Sequence, residues 1–241
     1  MPHSSKTVNS RGEIRLKPRL AAAASYVRKG SVTADVGTDH CYLPIYLIKE
    51  GISSKVIATD INKGPLQKAK ESVERCGVQD SIVLRLADGL NGIEADEPSD
   101  ILICGMGGEL IRDIIDACEY TRQSGVNLIL QPMTKSGVLR KFLAENGFNI
   151  IDETLVSDDK IYEIILCSFD GIKRSFSAVE YELGAINIAK KEEPYVSFLR
   201  RHLDVAHCRM EGKKTANLNV DEDIDFINII TSLIEEYDAA R

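Results

Sequence analysis

A mostly parallel, seven-stranded α/β sheet with helices on both faces, followed by an all-α tail, is the fold class that this 241-residue sequence predicts. Three observations carry that expectation. Strand-like apolar runs alternate with helix-like stretches from residue 16 to about residue 169, a pattern that builds parallel strands with crossover helices. The last two strand-like runs are separated only by the polar turn Ser157-Asp158-Asp159-Lys160, which makes them a hairpin and reverses one strand. From residue 177 onward only helical periodicity is present.

Pro18 in the first turn and Gly30 just past the end bracket a helix over 18–29. The first strand is 32–36. Residues 43–50 read as a helix stopped by Gly51, and 55–59 as a second strand ending on Asp60. Asn62 stands at the N-cap of the next helix, with Pro65 in its first turn and Gly77 beyond its end. The third strand, 81–86, leads into Ala87-Asp88-Gly89. The fourth, 100–104, leads into Gly105-Met106-Gly107-Gly108 and a helix over 109–122. The fifth, 127–130, ends at Gln131-Pro132-Met133 and precedes a helix over 135–146 stopped by Gly147. Strands 149–156 and 161–169 close the sheet. Ligands of such sheets bind at the carboxyl ends of the strands, near the point where strand order reverses.

Asp170-Gly171 marks the expected boundary between a sheet domain, 1–170, and a helical domain, 171–241. Beyond Pro194, residues Val196, Leu199, Leu203, Ala206 and Met210 recur at steps of three and four, a heptad seam that Gly212 is expected to end. Asn219 and Glu222 have capping-box spacing ahead of the last helix, whose facing stripe is Val220, Ile224, Ile227, Ile230, Ile234 and Tyr237. Two such helices joined by a short polar loop make an antiparallel hairpin or short coiled coil.

The composition, 44% hydrophobic and 28% charged, is that of a soluble globular chain. No apolar run approaches the roughly 18 residues that span a bilayer. The polar first ten residues lack the apolar core of an export signal, so a cytoplasmic protein without a membrane partner is expected. Six cysteines form no Cys-x-x-Cys pair, as suits buried thiols in a reducing compartment, and four histidines lack metal-ligand spacing, so no metal is expected. The net charge of −7 disfavours indiscriminate nucleic-acid binding. Yet the first thirty residues carry seven basic side chains, Arg11, Arg15, Lys17 and Arg19 among them, against one acidic. A second cluster comprises Arg200, Arg201, Arg209, Lys213 and Lys214. Such patches suit a folded polyanion gripped at chosen points, with an ordinary solvated surface as the alternative.

The most informative stretch is Asp35-Val36-Gly37-Thr38-Asp39-His40, the turn after the first strand. A strand-turn-helix-strand unit that closes on an acidic residue, here Asp60, binds the ribose of a nucleotide-like ligand. A dinucleotide fold wants Gly-x-Gly-x-x-Gly for close approach to a pyrophosphate. Here Gly37 stands alone, and Asp39 would repel a phosphate. Asp35 and Asp39 suit a cationic head, such as the sulfonium and α-ammonium of S-adenosylmethionine, with Asp60 on the ribose and Asp88 on the adenine amino group. Each Asp alone also reads as a helix cap, and His40 as a structural histidine. The Gly105–Gly108 loop exposes backbone so that a flat base can approach the donor, with Met106 against it; a tight helix start is the other reading.

The Gly37-Thr38-Asp39-His40 turn with Tyr42-Leu43-Pro44, the Ala87-Asp88-Gly89-Leu90 step, Ile103-Cys104-Gly105-Met106-Gly107-Gly108 and Leu130-Gln131-Pro132-Met133 stand in one order. In that combination, across about residues 14–240, the chain resembles the bacterial tRNA (adenine-22-N1)-methyltransferases. The resemblance implies a Rossmann-like class I methyltransferase domain with a C-terminal coiled coil. It implies S-adenosylmethionine as donor, S-adenosylhomocysteine as product, and adenine N1 in the tRNA D-arm region as acceptor. It implies donor-pocket roles for Asp35, Gly37, Thr38, Asp39, His40, Asp60, Asp88, Gly105 and Met106, with Ile61, Asn62, Ala87, Gly89 and Cys104 beside them. Asp39, Gly105 and Met106 are the expected reaction-positioning residues, with no firm general base. A small-molecule methyltransferase explains the pocket but not the basic segments. A noncatalytic RNA-binding module explains the basic segments but makes the acidic strand ends a coincidence. A nicotinamide dehydrogenase lacks its glycine fingerprint. A monomer or weak dimer is expected.

Overall fold

The computed structural model describes residues 14–94 and 97–240. The chain divides into two compact units, Met1–Ser175 and Phe176–Arg241. The first unit holds strands β1 (Ser31–Val36), β2 (Ser53–Asp60), β3 (Ile82–Leu86), β4 (Asp100–Met106), β5 (Asn127–Pro132), β6 (Phe148–Ser157) and β7 (Ile161–Phe169). Its helices are α1 (Pro18–Ser25), α2 (Tyr42–Lys49), α3 (Lys63–Cys76), α4 (Gly108–Asp116) and α5 (Ser136–Glu145). The seven strands lie in the order β3-β2-β1-β4-β5-β7-β6. β7 alone runs against the others, pairing antiparallel with β5 and β6.

Alternation along each strand divides the core between the two faces. Leu102, Ile129 and Ile164 point to the side that carries α1, α2 and α3, with Ala23, Ile45, Leu47 and Val73. Ile101, Ile103, Leu128, Leu130 and Ile165 point to the other side, against Ile111 and Ile115 of α4 and Leu139 and Leu143 of α5. Both faces are dry, which explains why these strands read as continuous apolar runs rather than alternating ones. The strand order reverses between β1 and β4, and that places a crevice at their carboxyl ends.

Several expected bounds shift. α1 ends at Ser25 rather than residue 29, because Arg28 turns back to the buried Asp100: its backbone N–H donates to Oδ2 at 2.8 Å and its Nε to Oδ1 at 2.7 Å. α4 stops at Asp116, and residues Glu119–Arg122 form a separate 3-10 turn; Thr121 Oγ1 donates to the Cys118 carbonyl at 2.7 Å. β4 and β5 each run two residues longer than expected, to Met106 and Pro132, which matters for the site below. The stretch after Asp170 stays with the first unit: Arg174 N–H donates to the Ala144 carbonyl, and its guanidinium pairs with Asp170 at 2.5 Å.

The second unit contains α6 (Ala178–Leu183), α7 (Ala185–Lys190), α8 (Tyr195–Thr215) and α9 (Asp221–Ala239). Ser177 and Glu180 form a reciprocal capping box on α6. α8 passes through Gly212 to Thr215, an exposed position where glycine costs about 1 kcal/mol relative to alanine. Leu199 and Ala206 of the expected seam are buried. In α9 one inward position falls a residue earlier than expected. Asp223 is fully buried where Ile224, 40% exposed, was to face inward, and Ile230 and Tyr237 complete the stripe. The reason is electrostatic: Asp223 accepts from Arg209 Nε and from Lys213 Nζ (2.6 Å) of α8. Asn219 bonds to Asp221 N–H at 2.7 Å, so the expected Asn219–Glu222 box does not form.

Candidate active site

A cleft of about 370 Å³ opens at the carboxyl ends of β1 and β4. Leu16, Lys17, Arg19 and Leu20 form one wall, and Asp35, Gly37, Thr38, Asp39, Tyr42, Leu43, Cys104 and Gly105 the rest.

The turn after β1 is built from backbone that most residues avoid. Gly37 has φ +77°, and a Cβ added there would sit 2.2 Å from Met106 Cε. Its N–H and that of Thr38 both donate to the Thr59 carbonyl at 2.8 Å, which ties the turn to the end of β2. His40 (φ +57°) and Cys41 (φ +60°) follow in the left-handed region, each at a cost of about 1–2 kcal/mol. His40 stacks on Tyr42, ring centroids 5.4 Å apart, and its Nε2 lies 3.4 Å from Asp39 Oδ1. The Asp39 side chain is 76% exposed.

Asp35 is buried at the floor of the cleft. Burial pushes its carboxyl up to about 6; the nearby Thr38 hydroxyl opposes the rise and the Asp60 carboxylate adds to it. Thr38 Oγ1 is itself buried with no well-formed hydrogen bond. A buried carboxylate and an unsatisfied hydroxyl in one cleft fit a guest with a cationic, hydrogen-bonding end.

The second loop is set by a bulge. Cys104 pairs with Gln131 and Met106 with Pro132, leaving Gly105 (φ +79°) unpaired between them. The extra residue carries Gly105 into the cleft and turns Met106 onto Gly37. Gln131, fully buried, locks this arrangement: its Oε1 accepts from Gly105 N–H (3.1 Å) and from Arg19 Nη1 (2.7 Å), while its Nε2 donates to the Pro132 carbonyl (3.0 Å). The tight-helix reading accounts for Gly107, the N-cap of α4, and Gly108, where a Cβ would meet the Lys135 carbonyl at 2.4 Å. Gly105 answers to the cleft instead.

The other expected donor-pocket residues lie outside this lining. Asp60 ends β2; its Oδ1 accepts from Asn62 N–H at 2.7 Å, and its carbonyl accepts from Ala87 N–H at 3.0 Å. Ile61 is 61% exposed. Asp88 and Gly89 line a separate cleft of about 180 Å³ with Leu110, Asp113 and Ile114. Of the capping alternatives, only Asp60 makes such a local bond; Asp35 lies inside β1, and the N-cap of α2 is Cys41 with no side-chain cap.

The expected nucleic-acid contacts divide. Arg11 lies outside the described residues. Arg15 and Lys17 are exposed, and Lys17 stands on the cleft wall. Arg19 faces the cleft, 5.4 Å from the Tyr162 ring centroid. In the second unit Arg209 and Lys213 are held by Asp223, Lys214 lies 2.8 Å from Glu211 and Arg200 3.7 Å from Asp238; Arg201 is exposed. Gln131 is the residue that sequence reasoning left without a role. Its signal is one polar side chain at the carboxyl end of an otherwise apolar strand.

A family model described as a methyltransferase domain matches residues 16–165. The tRNA (adenine(22)-N(1))-methyltransferase of Bacillus subtilis (strain 168) is 37% identical over 171 residues, 68% of this chain and 72% of that one. The crystal structure of the B. subtilis M1A22 tRNA methyltransferase TrmK superposes with a TM-score of 0.78 at 29% identity, covering 92% of this chain and 97% of that one. M. capricolum TrmK, solved with S-adenosyl-homocysteine, gives 0.74 at 25% identity, covering 94% and 99%.

Proposed function

Because the chain belongs to the tRNA (adenine(22)-N(1))-methyltransferase family, we propose that its β1–β4 cleft holds S-adenosylmethionine and that it methylates N1 of adenine 22, in the D-arm region of tRNA. The observation that supports the cleft assignment is the pairing of buried Asp35 with the unsatisfied Thr38 hydroxyl, which suits an ammonium head and no phosphate. In this reading the ribose falls to Asp60 at the end of β2 and the adenine amino group to Asp88, which lines the separate cleft of about 180 Å³. When bound, S-adenosylmethionine supplies an activated methyl carbon, and the electron pair of its breaking C–S bond leaves with the thioether.

Adenine N1 carries a neutral lone pair, so the chain needs no strong base. Its task is placement of the reacting atoms within about 3–3.5 Å. Gly105, without a side chain, and Met106, fixed by the bulge and by Gly37, leave room for a flat base beside the donor head. The base is cationic once methylated, and the exposed Asp39 carboxylate stabilises that charge. The adenine must be splayed out of the tRNA to arrive there, at a cost of a few kcal/mol. Arg15, Lys17 and the basic side chains of α8 grip the tRNA by phosphate and shape. We place this work in the cytoplasm; among the described residues no helix is long and apolar enough to cross a membrane.

Calorimetric titration tests the cleft. S-adenosylhomocysteine is expected to bind and NAD not to. The ammonium needs Asp35 ionised, so affinity is full above pH 7. It falls by roughly tenfold per unit as pH drops below about 6, and Asp35→Asn removes that dependence. NAD binding, or a flat profile for the unsubstituted protein, contradicts the assignment.

Asp39→Ala is expected to lower kcat on tRNA by about 10-fold or more while S-adenosylhomocysteine affinity moves less than about 3-fold. Unchanged turnover rules out the role given to this carboxylate.

A further inference from the structure

Among the described residues, the other buried or half-buried guanidinium groups of the first unit are each answered by a carboxylate, Arg85 by Glu97, Arg122 by Asp116 and Arg140 by Glu153 and Glu163 among them. Arg19 is not. It is half-buried, among the described residues it has no acidic partner within ion-pair distance, and its one hydrogen bond goes to the neutral amide of Gln131. A guanidinium has five N–H donors, and most of those on Arg19 remain unspent beside the cleft. Asp35 lines the same cleft, likewise without a cationic partner among the described residues. The two do not pair with each other. Cys104 feels both: burial pushes its thiol up, Asp35 adds to the rise and Arg19 opposes it. One cleft thus presents an unpaired anion and an unpaired cation, the complement of a zwitterionic α-amino-acid head.

We infer that Arg19 is the seat of the donor's carboxylate, opposite Asp35 and its ammonium, and that Gln131 is the positioning residue that aims it. This rests on the donor reading of the cleft. Gln131 suits the task because its Nε2 is spent on the Pro132 carbonyl, which turns Oε1 to Arg19, and because a neutral amide orients the guanidinium without quenching its charge. Arg19, from the basic N-terminal segment, therefore serves the small molecule rather than the RNA.

The test compares two ligands by calorimetry: S-adenosylhomocysteine and its decarboxylated form, S-adenosyl-3-thiopropylamine, which keeps the ammonium and lacks the carboxylate. Arg19→Met is expected to weaken S-adenosylhomocysteine by about 10- to 100-fold and the decarboxylated ligand by less than about 3-fold. Arg19→Lys recovers part of the loss. Gln131→Glu, which sets a competing carboxylate against the guanidinium, repeats the selective loss and keeps the question decidable if Arg19→Met does not fold. Equal weakening of both ligands, or none of either, overturns the assignment. If the unsubstituted protein binds neither ligand, the donor reading itself fails and the Arg19 assignment falls with it. If it binds both equally well while remaining pH-dependent through Asp35, only the carboxylate assignment fails.

Discussion

A chain ending at Ser175 is expected to lose at least about 100-fold in methylation of tRNA while its affinity for S-adenosylhomocysteine stays within about 3-fold. Every residue lining the 370 Å³ cleft belongs to the first unit, as do the strands and loops that shape it. The second unit contributes none of that lining but carries Arg200, Arg201, Arg209, Lys213 and Lys214, and removing cations that neutralise phosphates lowers affinity for a polyanion. Four of these side chains lie near acids of their own unit, which fixes their positions. They remain accessible: the Arg209 side chain is 49% exposed and that of Arg200 62%. The loss should appear as weaker tRNA binding in a gel-shift or anisotropy assay, largest at low salt, with a shallower salt dependence than that of the full chain. Full activity of the shortened chain contradicts the role given to the helical unit.

Arg140→Met is expected to destabilise the protein by about 3–5 kcal/mol, a fall on the order of 10 °C in Tm. Arg140 is 1% exposed. It donates through Nε to Glu153 at 2.6 Å and through Nη2 to Glu163, and Ser136 Oγ donates to the same Glu163 at 2.5 Å. Burial alone would pull the guanidinium's pKa down, but the two glutamates more than reverse that. Removing the cation leaves both carboxylates buried without it. The effect reaches the site because Ser136 begins α5, and the preceding Thr134 carbonyl accepts from Gly108 N–H at 2.7 Å. Thermal unfolding by circular dichroism measures the loss, and a change under about 2 °C contradicts the account. Replacing Arg140, Glu153 and Glu163 together by apolar residues should recover much of the stability, since the uncompensated charges leave with their partner.

Much of the architecture was legible because local chemistry and global fold agree. Gly77 and Gly147 end helices with positive φ, Pro18 opens one, and the polar turn at 157–160 makes a hairpin. The acidic strand ends were legible for the same reason, as polar residues closing apolar runs. What escaped depends on partners distant in sequence. Arg19 read as one more surface cation until Gln131, 112 residues away, claimed it. Arg140 sits in a stretch with helical charge spacing and gives no local hint that two glutamates of β6 and β7 bury it. Asp223 displaced Ile224 from the α9 stripe because two cations of α8 satisfy it, and hydrophobic periodicity cannot weigh that. The bulge at Gly105 is a register event between β4 and β5, visible only once the strands are paired.

Primer extension on unmodified tRNA treated with the protein and S-adenosylmethionine tests the central claim most directly. A methyl on N1 blocks the Watson–Crick edge, so reverse transcriptase should acquire a new stop next to adenine 22, absent when the donor is omitted. Methyl incorporation into the tRNA with read-through across that adenine would contradict the account.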